Sequence, residues 1–522
     1  RRHRRAPFDM VMNLRSILFA WLAIVLVATP PAAAHADRPQ EVTAQIKSAA
    51  SGKFKKFYKA RSFLPIWARN GTIGPEADRL IGMLRTADLD GLDPRDYDPD
   101  GLRRAVVDVR NGNSAALGRT ELKLSKAFYA YVRDLRDPGA FRSDKIVFAD
   151  PRMKPQRLLP ADVLMPAAIA PSLDVYLAAS SWMNPIYDNL RDALEDFRKH
   201  WDDLPAGTVA TGAPLRLGAS GERVRDLRHR LGLADGSRFD KPLAWKVRVF
   251  QMEHGLPATG IADSATIAAL NRNSSSYEQR IRLNLQRVRL LPPASTRQVV
   301  VNIADAKLMM FGEGKQQGEM RVVVGKPNEQ TPVMAGMISY AILNPYWNVP
   351  TDLVRDRVAP KVLAGQTFEG MHYEALSDWT AHARLLRPNE IDWKAVADGR
   401  QELRVRMLPG AANWMGKMKF MFPNELGIYL HDFPDKSIFS EDRRQLSSGC
   451  VRLSDAARLG QWLYGRPLET TSPAPEQYVT LPKPVPIYIT YLTVTAGDKG
   501  IAYLDDPYGR DGAGQEQQLA RR

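Results

Sequence analysis

The sequence predicts a multi-domain fold: an α-helical scaffold domain and a compact three-helix module precede a mostly β domain, a sandwich interrupted by a helical insertion. Three observations predict it. A chain of 522 residues with 44% apolar composition has room for several separately packed cores. Apolar residues recur at helical spacing through much of the first half. Beyond about Gln298 they gather into short β runs separated by tight turns.

The first 36 residues stand apart from that scheme. Arg1, Arg2, Arg4, Arg5 and Arg15 precede an apolar run from Ile17 to Thr29, and Ala34-His35-Ala36 follows, the layout of an export signal with a small-residue cleavage site. The run is short for a bilayer span, so cleavage after Ala36 is expected, giving a periplasmic or cell-envelope protein; retention would leave it membrane-anchored. Without residues 1–36 the chain holds 68 basic and 57 acidic residues, a net charge of +11. With export and no recognition motif for nucleic acid, that charge suits an anionic polymer such as cell-wall peptidoglycan; a surface basic merely for solubility fits it as well. The sequence points to no protein partner. A single cysteine, Cys450, excludes an intrachain disulfide. A lone thiol in an oxidising compartment is either buried and inert or present for its reactivity.

Residues 40–205 read as the helical scaffold domain. Leu80, Leu84, Leu89 and Leu92 fall at near-helical spacing, and Leu122, Leu124, Phe128, Tyr129 and Val132 mark a second helix between Thr120 and Leu135. Asp90-Gly91-Leu92-Asp93-Pro94 is a turn cluster. No nucleophile, base or metal-ligand constellation occurs in this part. Residues 213–272 form the compact module: a helix carrying Val224, Leu227 and Leu231, a second from Leu243 to His254 and a third from Ser264 to Asn271. Its Leu-x-x-Gly, Val-x-x-Leu-x-x-x-Leu and Phe-Gln-x-x-x-Gly-Leu-x-x-x-Gly pattern, running from Leu217 to Gly260, resembles the three-helix peptidoglycan-binding module. The apolar positions also serve a purely structural spacer.

Residues 296–498 read as the β domain, with Val299 to Ile303, Lys307 to Phe311 and Met320 to Val324 as its first strands and Val485 to Val494 as a late one. Between about 351 and 421 the pattern turns helical and polar. An interval of that length suggests a lid that moves over a site. Residues 505–522 are polar and Gly-rich and read as a disordered tail.

The chemistry-bearing cluster lies between Ile428 and Leu453. A short β run delivers His431, a charged loop follows, and Ser447-Ser448-Gly449-Cys450 turns into Val451-Arg452-Leu453. Acyl transfer through a thiol needs a base, oxyanion donors and room for the carbonyl. His431 supplies a base, Gly449 a tight turn, and the amides around Ser448 to Cys450 candidate donors. Arg452 and His431 favour a thiolate by their charge. Composition and spacing leave open an inert Cys450 and a structural His431, because sequence separation does not establish contact.

Resemblance narrows this. Tyr429-Leu430-His431-Asp432, the Ser447–Arg452 segment and Asn344-Pro345-Tyr346-Trp347-Asn348-Val349-Pro350 ahead of the insertion resemble the L,D-transpeptidases of bacterial cell walls, in particular their large, multi-domain branch. The resemblance implies a sandwich-like catalytic domain joined to a peptidoglycan-binding module and a scaffold domain. It implies Cys450 as nucleophile and His431 as proton shuttle, with Gly449 and Ser448 completing the catalytic turn. Trp347, Tyr429 and Arg452 would shape the pocket for the donor stem, although Trp347 suits core packing beneath the lid equally well. Ser448 stands where many smaller members carry a second His. The implied reaction forms 3→3 cross-links between peptidoglycan stem peptides through a thioester. The L,D-carboxypeptidase or endopeptidase outcome and a non-catalytic wall-binding protein are the alternatives. No metal or organic cofactor is called for, and carbapenem-type β-lactams are the implied inhibitors.

Overall fold

The computed structural model describes residues 38–136, 146–178, 183–201, 204–272, 274–293, 295–380, 382–497 and 500–512; the expected export signal lies outside the described residues. Among the described residues no helix is long and apolar enough to cross a membrane.

The N-terminal helices are α1 (Arg38–Ala49), α2 (Gly52–Ala60), α3 (Glu76–Arg85), α4 (Pro99–Arg110), α5 (Leu117–Leu135), α6 (Pro160–Ile169), α7 (Leu173–Ala178) and α8 (Pro185–Trp201). Leu122, Leu124, Phe128, Tyr129 and Val132 are all buried because α5 is the central helix, covered on most sides. Its buried Glu121 accepts the amides of Ile66, Trp67 and Ala68 and the Tyr58 hydroxyl, so a carboxylate inside the core is fully partnered. Leu80 and Leu84 lie on α3, but Leu89 belongs to a separate 3₁₀ turn. Gly91, at φ +69°, ends that turn in the left-handed region, so the apparent four-leucine periodicity spans two elements.

Helices α9 (Glu222–Arg230), α10 (Lys241–Glu253) and α11 (Ser264–Asn271) form the compact module. Its Phe-Gln-Gly pattern has a structural explanation. The buried Gln251 amide donates to the Ile261 carbonyl at 2.7 Å and the Thr266 hydroxyl at 2.9 Å, and its oxygen accepts the Gly260 amide at 2.8 Å. Helix α12 (Ser274–Val288) then runs to the β domain.

The strands, in chain order, are β1 (Val147–Phe148), β2 (Gln298–Asn302), β3 (Lys307–Gly312), β4 (Lys315–Gly325), β5 (Met334–Leu343), β6 (Trp347–Val349), β7 (Tyr373–Leu376), β8 (Leu385–Leu386), β9 (Arg404–Met407), β10 (Met418–Met421), β11 (Leu430–Asp432), β12 (Gln445–Ser447), β13 (Val451–Leu453), β14 (Gln477–Thr490), β15 (Val494–Gly497) and β16 (Gly500–Tyr503). The main sheet runs β1-β5-β10-β11-β13-β4-β3-β2-β14, and a further β5–β14 pairing closes it on itself. Closure leaves few free edges. Strand β14 is longer than the expected run and shifts register between Thr480 and Val485, where Pro482 and Pro484 deny the ladder their amides.

The β2 run Val299-Val300-Val301 is apolar throughout because both faces are covered. Val299 and Val301 point into the interior of the β domain, whereas Val300 joins a core continuous with the scaffold helices and the three-helix module. The helical region also contributes strand β1 to the sheet, pairing in parallel with β5.

Two expectations are corrected. The 351–421 interval is not simply helical: with β6 its strands form a second sheet, β6-β9-β7-β8, around a separate apolar core, and β10 at its end belongs to the main sheet. Strands of only two to four residues leave little period-2 signal to read. The expected disordered tail is also wrong for residues 505–512, where Tyr508 is buried and Asp511 pairs with Arg280 and Arg287 of α12. A few aromatic and charged anchors order a segment whose mean composition is polar.

Candidate active site

The site forms where β11 and β13 lie side by side in parallel, a pairing that puts Leu430 beside Val451 and His431 beside Arg452. Cys450 immediately precedes β13. A pairing between strands distant in sequence thus brings together the two motif halves.

Ser447, Ser448, Gly449 and Cys450 form a tight turn. The Ser447 hydroxyl donates to the Cys450 carbonyl at 2.6 Å and accepts the Gly449 amide at 3.2 Å. Gly449 sits at φ +111°, outside the regions open to side-chain-bearing residues. Its carbonyl accepts a 2.7 Å hydrogen bond from Thr331. Among the described residues the Ser448 and Cys450 amides have no protein partner, so they remain available as oxyanion donors while the Gly449 amide does not. Ser448 is exposed.

The Cys450 thiol is half-buried and donates to the Gly427 carbonyl at 3.6 Å. Burial pushes its pKa up, opposed by hydrogen bonds to the Tyr429 backbone and phenol and by the charge of Arg452. Cys450 therefore rests as a thiol, not as the thiolate expected from its charged neighbours. Desolvation exceeds the pull of a single cation here.

His431 is 2% exposed. Burial first, then the Arg452 guanidinium, holds its pKa down to about 3. Its Nδ1 lies 2.6 Å from the Asp432 carbonyl, which can only accept, so the neutral ring carries its proton on Nδ1 and presents Nε2 as a base. The Asp432 carboxylate faces elsewhere, accepting the Lys417 amide and pairing with Lys436.

Tyr429 connects the two groups. It hydrogen-bonds Cys450, and its ring lies 5.7 Å from that of His431. No direct hydrogen bond joins His431 to Cys450 in this state. Catalytic hydrogen bonds commonly tighten only once substrate is bound.

Arg452 stacks on Phe433 at 4.4 Å and has no carboxylate partner among the described residues. Burial lowers its pKa, an effect opposed by Cys450. Trp347 sits deeper, buried in the core of the insertion and stacked on Trp414 at 4.8 Å; Trp414 in turn meets Phe433 edge to face at 6.3 Å. Trp347 reaches Arg452 only through that aromatic series. Sequence reasoning missed Trp414, Phe433 and Thr331, which carry no local signal. Among the described residues no group of His, Cys, Asp or Glu side chains is arranged to hold a metal ion.

A family model described as "L,D-transpeptidase catalytic domain" matches residues 296–487, one described as "Scaffold domain" matches 52–194, and one described as "Putative peptidoglycan binding domain" matches 220–270. A Haemophilus influenzae protein named "Putative L,D-transpeptidase" is 31% identical over 244 residues, covering 45% of this chain and 49% of that protein. The chain thus spans about half the length of the curated relative it matches. Among solved structures, an L,D-transpeptidase from Mycobacterium smegmatis shares 14% identity over 37% of this chain and 58% of its own, with a TM-score of 0.19. One from Xylanimonas cellulosilytica shares 14% over 55% of this chain and 98% of its own, with a TM-score of 0.17. The sandwich-like β domain with its thiol and imidazole on adjoining strands is an L,D-transpeptidase catalytic domain, carried here behind a scaffold domain and a peptidoglycan-binding domain.

Proposed function

We propose that this chain is an exported peptidoglycan L,D-transpeptidase that forms 3→3 cross-links through a thioester on Cys450. The observation that carries the reading is the pairing of a solvent-accessible thiol and unpartnered turn amides with a buried imidazole whose Nε2 is free to accept a proton.

In this mechanism His431 Nε2 takes the Cys450 proton as Sγ attacks the carbonyl of the third, diamino residue of a tetrapeptide stem. The Ser448 and Cys450 amides stabilise the oxyanion. The imidazolium returns the proton to the departing D-alanine amine. The side-chain amine of a second stem then attacks the thioester, loses its proton to His431, and leaves a new amide and the thiol. Because both groups rest neutral, the charged pair arises only during reaction, when substrate has displaced water. Arg452 offers its unpaired charge to a stem carboxylate, and Tyr429 holds the thiol.

Water in place of the acceptor amine gives the carboxypeptidase outcome from the same acyl-enzyme. Incubation with a disaccharide tetrapeptide and mass analysis of the products separates them: cross-linked dimer supports transpeptidation, whereas tripeptide alone refutes it. Exposure to a carbapenem, expected to acylate Cys450, gives a stable mass adduct absent from Cys450→Ala. No adduct on folded protein would leave a wall-binding role. The signal-like segment at residues 1–36 supports a periplasmic or cell-envelope location, where a cross-linking enzyme would contribute to cell shape.

A further inference from the structure

The segment following the sheet reaches back to the catalytic turn. Tyr508 is buried and stacked on Tyr491 at 5.5 Å, and its amide donates to the Tyr491 hydroxyl at 2.8 Å. The Tyr508 hydroxyl donates to the Gly325 carbonyl and accepts the Thr331 amide at 3.2 Å. Thr331, wholly buried, accepts the Gly325 amide at 2.8 Å and donates its own hydroxyl proton to the Gly449 carbonyl. Every proton in this series has one direction open to it. Residues 325–331 must fold tightly to allow it: a Cβ on Gly325 would lie 2.1 Å from the Glu329 carbonyl oxygen.

A trans peptide unit points its carbonyl and its N–H in opposite directions. The Thr331 bond to the Gly449 carbonyl therefore fixes where the Cys450 N–H points, and that amide is one of the unpartnered oxyanion donors. Arg510 braces the same loop through Gln330 at 2.6 Å, and Asp511 ties the segment to α12. Tyr491, Tyr508, Arg510 and Asp511 lie beyond residue 487, where the matched catalytic domain ends, whereas Gly325, Thr331 and Gly449 lie within it.

We infer that Thr331 and Tyr508 are positioning residues, the C-terminal segment locking the Gly449–Cys450 peptide so that its amide faces the developing oxyanion. The inference rests on Cys450 being the acylated nucleophile. It predicts a separation between two reactions of one thiol, since acylation by a β-lactam or a stem peptide develops an oxyanion whereas alkylation by iodoacetamide does not.

The test compares the full chain with Tyr508→Phe, Thr331→Val and Thr331→Ser, each checked for a native melting transition. Tyr508→Phe keeps the stacked ring, and Thr331→Ser keeps the hydroxyl. Acylation by a carbapenem should slow at least about tenfold in Tyr508→Phe and Thr331→Val, with alkylation and its pH profile within about twofold of the parent and Thr331→Ser near the parent. Acylation unchanged in the folded variants would overturn the inference. So would an equal loss of acylation and alkylation, which would mean that the segment only maintains the fold around the thiol. A parent that alkylates but never acylates would instead refute the nucleophile reading itself.

Discussion

Lowering the pH should expose the cost of burying His431 as a neutral ring. An imidazole has an ordinary pKa near 6.5, and burial with the neighbouring Arg452 holds this one at about 3. Between those values the unfolded chain binds a proton that the folded chain refuses, so stability falls as pH falls, beginning near the unfolded pKa and ending near the folded one. At about 1.4 kcal/mol per pH unit, His431 alone removes roughly 1 kcal/mol by pH 5.5 and roughly 3 kcal/mol by pH 4, relative to pH 7. The assay is urea denaturation of the parent and of His431→Gln at these three pH values, following the β domain. Titrations elsewhere, including the similarly depressed buried His254, are common to both proteins and cancel in the difference. The parent should lose about 3 kcal/mol more than His431→Gln on going from pH 7 to pH 4. Parallel pH dependences would refute the neutral buried ring and the tautomer argument built on it. The same depression carries a kinetic consequence: the acylation rate of Cys450 should show no inflection near pH 6.5, because the base is not protonated there.

Gly449→Ala forces a side chain into φ +111°, a strain of about 1–3 kcal/mol; acylation should fall by about a hundredfold or more while the fold persists, read by mass-adduct kinetics and melting. Arg452→Gln removes an unpaired cation beside the thiol and should raise KM for an anionic donor stem more than it lowers kcat, as steady-state kinetics would report. Hydrogen exchange across 351–417 should slow on adding donor peptide if the insertion closes over the site, and unchanged exchange would rule out a lid.

The His431 and Cys450 motif halves were legible because acyl transfer demands particular residue types in a short span. The Gln251–Gly260 pattern was legible because one buried amide must find partners within its own module. Protonation states were not legible. Neighbouring charges in the sequence suggested a thiolate, whereas burial, a property of the whole fold, leaves a thiol. The second sheet of the insertion and the order of residues 505–512 escaped for a related reason, since both depend on contacts between segments whose own composition is polar.

By itself, then, the sequence determined the β domain's apolar runs, the helical character of the first half, and the residues able to carry thiol chemistry, all of which follow from local periodicity and side-chain type. Tertiary structure decided that β11 and β13 run side by side, that Gly449 is held by Thr331 and Thr331 by Tyr508, and that Trp347 lies two rings away from Arg452. These are pairings between residues far apart in the chain. Their free energy comes from burial and hydrogen bonding available only once the sheet has closed, and no local pattern encodes it.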